Sequence, residues 1–492
     1  MSSEHDPDGR RLPIKLDSTS NGEFLPIPLD RYAQLANELA HEAADRHARH
    51  LGQSRREFLV SSCGAASTLL AFNTAQAKAG RSGGRFELEP DAVTEPVAAE
   101  AAIAGDEFIL DVQGHFVNPQ GAWLSLLPEK ARPLAGMPAA SCALGAEGSG
   151  RDYLNCLGPD AFVKDVFMDS DTDVMVLSFV PSTREGEPLT IEEASATRAI
   201  VDRLDGTHRL LLHGRVNPNQ VGDVDDMPRL KEDFGVSAWK TYTQWGPKGD
   251  GYFLTDETTG LPFLERALDL DVPVVAVHKG IPFGRQSYQH STCTDIGPAA
   301  QAFPGLSFLV YHSGFIPGQP EGPYDPARND GIDGLIRTVL ESELGHGSNV
   351  YAELGSTWRF LMRDLDSAAH ALGKLLKYLG EDNVLWGTDS IWYGSPQDQI
   401  QAFRAFQISE AFQERYGYPA LTPAIKAKIF GLNALRPYRL ERPRIQSRLK
   451  EDPVELARLE YGPIADPHFQ TMGPKTRREF LNLMRWTGGN VS

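Results

Sequence analysis

From Phe108 onward the chain repeats one unit: a short β-branched or apolar run, bounded by Gly, Pro, Asn or Asp, then a stretch of helical period. Eight such runs follow in order: FILDVQGH (108–115), DVMVLSFV (173–180), LLLHGRV (210–216), VSAWKTY (236–242), VPVVAVH (272–278), SFLVYHS (307–313), NVYAELG (349–355) and NVLWGTD (383–389). Most of their starts lie about 25–40 residues apart, the length of one βα unit. Runs that are apolar throughout mark parallel strands buried on both faces. Helical stretches between them, such as 191–204, 264–270 and 368–379, supply the outer layer. Eight units in series predict an α/β fold closed as a (β/α)8 TIM barrel over residues 108–440. The first gap, 116–172, is too long for one unit and reads as an insertion over the barrel mouth.

The flanks read differently. Residues 54–59 are S-R-R-E-F-L, followed by a small-residue apolar stretch to Phe72 and then Ala75-Gln76-Ala77. Paired arginine, apolar stretch and A-x-A in that order predict a twin-arginine signal over 1–77, and so export to the periplasm by that machinery; without export the location is cytoplasmic. The motif itself is short: T-R-R-E-F-L recurs at 476–481 with no apolar run after it. Residues 78–107 read as a linker. Residues 441–492 read as a charged, partly helical tail that wraps the barrel or makes a contact in a homo-oligomer.

Composition excludes several functions. With 48 Lys+Arg against 66 Asp+Glu the formal net charge is −18, which disfavours nucleic acid as a partner. No run of eighteen apolar residues exists, so no integral membrane span is expected. Four cysteines in 492 residues rule out a disulfide-built scaffold. The expected partner is a small-molecule substrate.

Catalytic groups of a barrel enzyme sit at the C-terminal ends of its strands. Here those ends carry Gln113, His115, Lys240, His278, His312, Glu353 and Asp389. Three imidazoles and a carboxylate converging on one mouth are the donor set for Zn²⁺ or Mn²⁺. A catalytic ion with an open position would activate a water molecule as the nucleophile. Trp245, Trp358 and Trp392 follow strands four, seven and eight and are expected to wall a flat or aromatic substrate.

DVQGHF, VHKG, VYHSG, LWGTDS and the closing KIFGLNALR occur in that order across the barrel. In this the chain resembles the amidohydrolase superfamily, and within it the amidohydrolase-2 family of metal-dependent hydrolases and decarboxylases. The resemblance implies that His115, His278 and Asp389 bind one divalent ion, Zn²⁺ or Mn²⁺, with Gln113 as a fourth or outer group. It implies that His312 is the general acid or base, and that Asp389 can also accept a proton. The family normally carries His-x-His or Glu-x-His on its first strand; here the first member is Gln113, a neutral and weaker ligand. Lys240 and Glu353 are expected to contact substrate or each other. The expected activity is metal-dependent hydrolysis of a C–N or C–O bond in an amide, lactone or ester. The alternative is non-oxidative decarboxylation of an aromatic or unsaturated acid, and the third reading is a metal-binding barrel without turnover.

Overall fold

The computed structural model describes residues 10–126, 152–205, 208–281, 288–441, 453–461 and 469–486. The middle of the expected mouth insertion, 127–151, therefore lies outside the described residues.

Eight parallel strands form one sheet in strict chain order: β2 (Leu110–Gly114), β3 (Val174–Leu177), β4 (Leu210–Arg215), β5 (Ala238–Tyr242), β6 (Val274–His278), β7 (Ser307–Tyr311), β8 (Val350–Glu353) and β9 (Val384–Leu385). The last strand returns to the first through a parallel bridge between Gly114 and Ser390 and through hydrogen bonds from Val112 N–H to Trp386 and from Asp389 N–H to Gln113. The sheet thus closes into the (β/α)8 barrel that the eight runs predict. Its interior is filled by Leu110, Val112, Val174, Val176, Ala238, Val274, Ala276, Leu309, Tyr351 and Leu385, with Tyr438 below. A second, larger core lies between strands and helices.

Strand parity decides which side chains reach the mouth. On β6, Val274 and Ala276 face the interior, so His278, two residues on, faces the mouth. On β5 the same step carries Ala238 inward and then Lys240 and Tyr242. The β2–β3 ladder shifts register between Asp111 and Gly114, and beyond that irregularity Gln113 and His115 both approach Asp389.

The N-terminal region wraps this barrel. Helices α1 (Arg31–Leu51), α2 (Arg55–Leu59), α3 (Ser62–Lys78) and α4 (Pro96–Ile103) follow one another, and the small residues of α3 pack against α1 and α4. Cys63, Ala66, Leu69, Phe72 and Ala75 of that apolar stretch are core residues. The S-R-R-E motif at Ser54 is a capping box: Ser54 Oγ accepts from Glu57 N–H, and Glu57 accepts from Ser54 N–H. Its second copy does the same, with Glu479 accepting from Thr476 N–H and Thr476 Oγ1 from Glu479 N–H. Both arginine pairs thus sit in first turns of helices, which explains the recurrence by local helix physics. The expected linker carries α4 and strand β1 (Gly84–Phe86), which pairs antiparallel with β10 (Phe406–Ile408). In the tail, the described residues include helices Pro453–Tyr461 and Arg477–Trp486. No helix among the described residues is long and apolar enough to cross a membrane.

Candidate metal centre

Three imidazoles meet in the mouth in the same manner. The Nδ1 of His115 lies 3.1 Å from the Ser178 carbonyl, the Nδ1 of His312 lies 2.7 Å from the Gly355 carbonyl, and the Nε2 of His278 lies 3.2 Å from the Ile281 carbonyl. A carbonyl only accepts, so each of these nitrogens carries the proton and each ring is fixed in one tautomer. The opposite nitrogens, His115 Nε2, His278 Nδ1 and His312 Nε2, are left as lone-pair donors pointing inward. A metal-binding histidine is normally oriented in this way, its outer N–H held by a carbonyl.

Two carboxylates face these nitrogens. Asp389 Oδ1 is 3.2 Å from His115 Nε2 and takes a 3.0 Å hydrogen bond from Gln113 Nε2. Its other oxygen accepts from Ser356 Oγ at 2.5 Å and from Asn21 Nδ2 at 2.8 Å. The second carboxylate is Glu23, from the N-terminal segment. Its oxygens lie 3.4 Å from His278 Nδ1 and 3.6 Å from His312 Nε2, and the ligand atoms of Glu23, His278 and His312 lie within 4.8 Å of one another. Asn21 Nδ2 also donates to Glu23 at 2.6 Å, so one amide joins the two carboxylates.

The arrangement fits a divalent cation. His278 Nδ1, His312 Nε2 and Gln113 Oε1 are buried acceptors with no hydrogen-bond partner, and buried polar atoms are rarely left so. Burial holds His312 down at about 4 and His278 well below the ordinary imidazole range, so both rings stay neutral. Burial and then the Asp389 charge push Glu23 up to about 8. Burial raises Asp389, but its side-chain contacts, that with His115 first, outweigh burial and hold it low. Two acidic groups in one dry site, one of them forced toward its neutral form, would be balanced by a bound cation.

Strained backbone frames the site. His312, Ser356 and Asp389 have φ of 64°, 53° and 60°, the left-handed region that residues with a Cβ seldom adopt. A Cβ on Gly387 would collide with the Glu353 carboxylate, so glycine there lets β8 and the loop after β9 approach.

The other expected site residues divide. Glu353 accepts from the backbone N–H of His312 at 2.9 Å and of Gly355, so it positions the loop that carries His312. It makes no ion pair with Lys240; burial raises it to about 8. Lys240 is fully buried, its Nζ has no hydrogen-bond partner, and the ammonium lies 3.6 Å from the Tyr311 ring centre and 4.6 Å from that of Tyr242. Burial lowers it to about 7 against the pull of Glu23, Glu353 and Asp389. Trp245 packs on Tyr242, whose ring stacks on His278 at 4.7 Å. Trp358 is instead a core residue: its indole N–H donates to Gln399, and its ring meets Phe403 and Phe406 edge-on. Trp392 also joins the core, and its carbonyl accepts from Met472 and Gly473 of the tail. An aromatic after a strand serves the mouth or the helical layer, and spacing alone does not separate the two. Glu23 and Asn21 were missed because they lie in a polar segment assigned to a removable signal.

A closed eight-stranded barrel with imidazoles and carboxylates at its C-terminal mouth defines a metal-centred TIM-barrel enzyme. Residues 165–440, more than half of the chain, match the amidohydrolase family, and the chain belongs to it. No curated protein matches the sequence. Among solved structures it is similar to 2,6-dihydroxybenzoate decarboxylase from Rhizobium, at 17% identity over 68% of this chain and 99% of that one, with a TM-score of 0.37. It is similar to 5-carboxyvanillate decarboxylase from Novosphingobium aromaticivorans, complexed with manganese and a nitrobenzoic acid, at 15% identity over 68% and 96%, TM-score 0.42. It is similar also to an uncharacterised TIM-barrel protein from Bordetella bronchiseptica, at 14% over 67% and 99%, TM-score 0.41.

Proposed function

We propose that the chain is a metal-dependent lyase that decarboxylates a small aromatic or unsaturated acid. The observation that carries this is Lys240, a buried amine with no hydrogen-bond partner, set between two tyrosine rings beside the inward-facing imidazoles. A buried ammonium is stable next to an anion, and a substrate carboxylate supplies one. The rings of Tyr242 and Tyr311 on either side suit a flat partner. The lining also favours a reaction that consumes no water: His115, Lys240, His278, His312, Glu353 and Asp389 are each at most 3% exposed.

His115, His278, Asp389 and Glu23 are the residues that would hold the cation. Bound there, a divalent ion would act as a Lewis acid on the oxygens of the acid. Lys240 anchors the carboxylate and cancels its charge. The carbon–carbon bond breaks, the electron pair remains on the carbon, and a proton replaces carbon dioxide. A proton route reaches the site at Asp389, whose carboxylate accepts from Ser356 Oγ, itself 2.7 Å from Tyr393 Oη. The test is carbon dioxide release from a panel of hydroxybenzoates and unsaturated acids by protein loaded with Mn²⁺ or Zn²⁺. Water oxygen appearing in the products of lactones, amides or esters, with no carbon dioxide from any acid, would contradict it. That outcome would support the second reading, a metal-dependent hydrolase with His312 as base.

A further inference from the structure

We infer that the N-terminal strap, residues 12–24, is a permanent part of the metal centre, and that Glu23 supplies its second negative ligand. The inference rests on the metal centre of the reading above and is independent of which bond is broken.

Charge is the first argument. The barrel itself turns neutral imidazoles, the neutral amide of Gln113 and one carboxylate, Asp389, toward the centre, since Glu353 is engaged by the backbone N–H groups of His312 and Gly355. A dication held by these alone keeps a net positive charge inside a dry protein, which is costly. Glu23 cancels it, and its oxygens already stand 3.4 and 3.6 Å from the two nitrogens that lack hydrogen-bond partners. A neutral Gln113 on β2 and a carboxylate from the strap are then one solution to the same charge balance.

The second argument is how firmly the strap is tied. Lys15 Nζ donates to the carbonyls of Tyr393 and Ser395 at 2.8 and 2.9 Å and pairs with Asp398. Arg359 donates to the Lys15 carbonyl and, at 2.8 Å, to Asp17. Ser20 N–H bonds the Pro474 carbonyl at 2.9 Å, and Thr19 Oγ1 bonds Thr471 Oγ1 at 2.6 Å, so the C-terminal tail laces the strap down. Leu12, Ile14 and Leu16 are core residues. A segment bonded to barrel loops and to the tail is built in, and cleavage after Ala77 would remove Glu23 from the centre. Any export through the Arg55-Arg56 pair therefore acts on a chain that keeps residues 12–77.

The experiment titrates Mn²⁺ into metal-free full chain by calorimetry, for the native protein, Glu23→Gln and Glu23→Asp, with the thermal midpoint of each metal-free protein as a folding control. The native chain is expected to bind one Mn²⁺. Glu23→Gln, almost identical in shape, should bind at least about tenfold more weakly, and the charge-keeping Glu23→Asp should lose less than the amide does. Native-like affinity in Glu23→Gln overturns the inference, and so does equal loss in both variants with unchanged midpoints. If Glu23→Gln does not fold, the comparison of Glu23→Asp with native decides, unchanged affinity and midpoint contradicting a ligand role. A native chain that takes no Mn²⁺ or Zn²⁺ overturns the metal centre as well, which separates that failure from this one. Active, metal-loaded protein whose N-terminus is Lys78 would also overturn it.

Discussion

Lys240 concentrates the proposed chemistry in one atom, and its surroundings say how to perturb it. Its Nζ touches aromatic faces and no hydrogen-bond acceptor, so Met can fill its volume without leaving a buried partner unpaired. Lys240→Met is expected to leave Mn²⁺ affinity within about threefold. It should lower kcat/KM for the acid by about a hundredfold, the cost of about 2.7 kcal/mol of lost contact to a charged group. Parallel metal titration and carbon dioxide assays check both halves; loss of metal with activity would make Lys240 a support of the centre instead. At this scale His115, His278, His312 and Asp389 were legible because strand ends of a barrel converge whatever lies between them. Glu23 was not, since a lone glutamate in a polar stretch carries no period, and only tertiary closure of the strap brings it to His278.

Among elements, the strap is the one whose stability has a distinct pH signature. Partial burial raises Asp17, but Arg359, Lys475 and the hydroxyls of Thr471 and Thr19 outweigh it and hold the carboxyl at about 2. A carboxylate depressed in the folded state adds stability that is complete above its ordinary value of 3.8 and disappears as pH falls toward 2. In metal-free protein, Asp17→Asn should therefore cost about 1 kcal/mol at pH 6, a value discounted for its partial exposure. The gap in thermal midpoint from native should narrow below pH 4 and close near pH 2. A gap independent of pH would mean that the amide disturbs packing and that the charge on Asp17 contributes nothing. The helices show why the N-terminal half was hard to read. Ser54-Arg55-Arg56-Glu57 satisfies the spacing of a capping box as fully as that of an export motif, and α3 is rich enough in alanine to pass for an apolar signal stretch. The pairing of Trp358 with Phe403 and Phe406 was equally hidden, because those rings lie more than forty residues further along the chain.

For the molecule as a whole, the repeated βα rhythm was enough to give the barrel, because parallel strands buried on both faces write their burial directly into composition. The enclosure of that barrel was not legible: it depends on residues 12–24 and the tail meeting the loops around the mouth, contacts between segments hundreds of positions apart. The net charge of −18 describes the whole chain, whereas the site's own electrostatics are set by Lys240, Glu23 and Asp389. The account stands on the mouth being a metal centre, and elemental analysis of the full chain after loading with Mn²⁺ or Zn²⁺ tests that most directly. The expected result is about one divalent ion per native chain, with less than about a tenth of that in His278→Ala and in Asp389→Ala, each folded by circular dichroism. A native chain that stays empty, or variants that hold as much metal as the native protein, would contradict it.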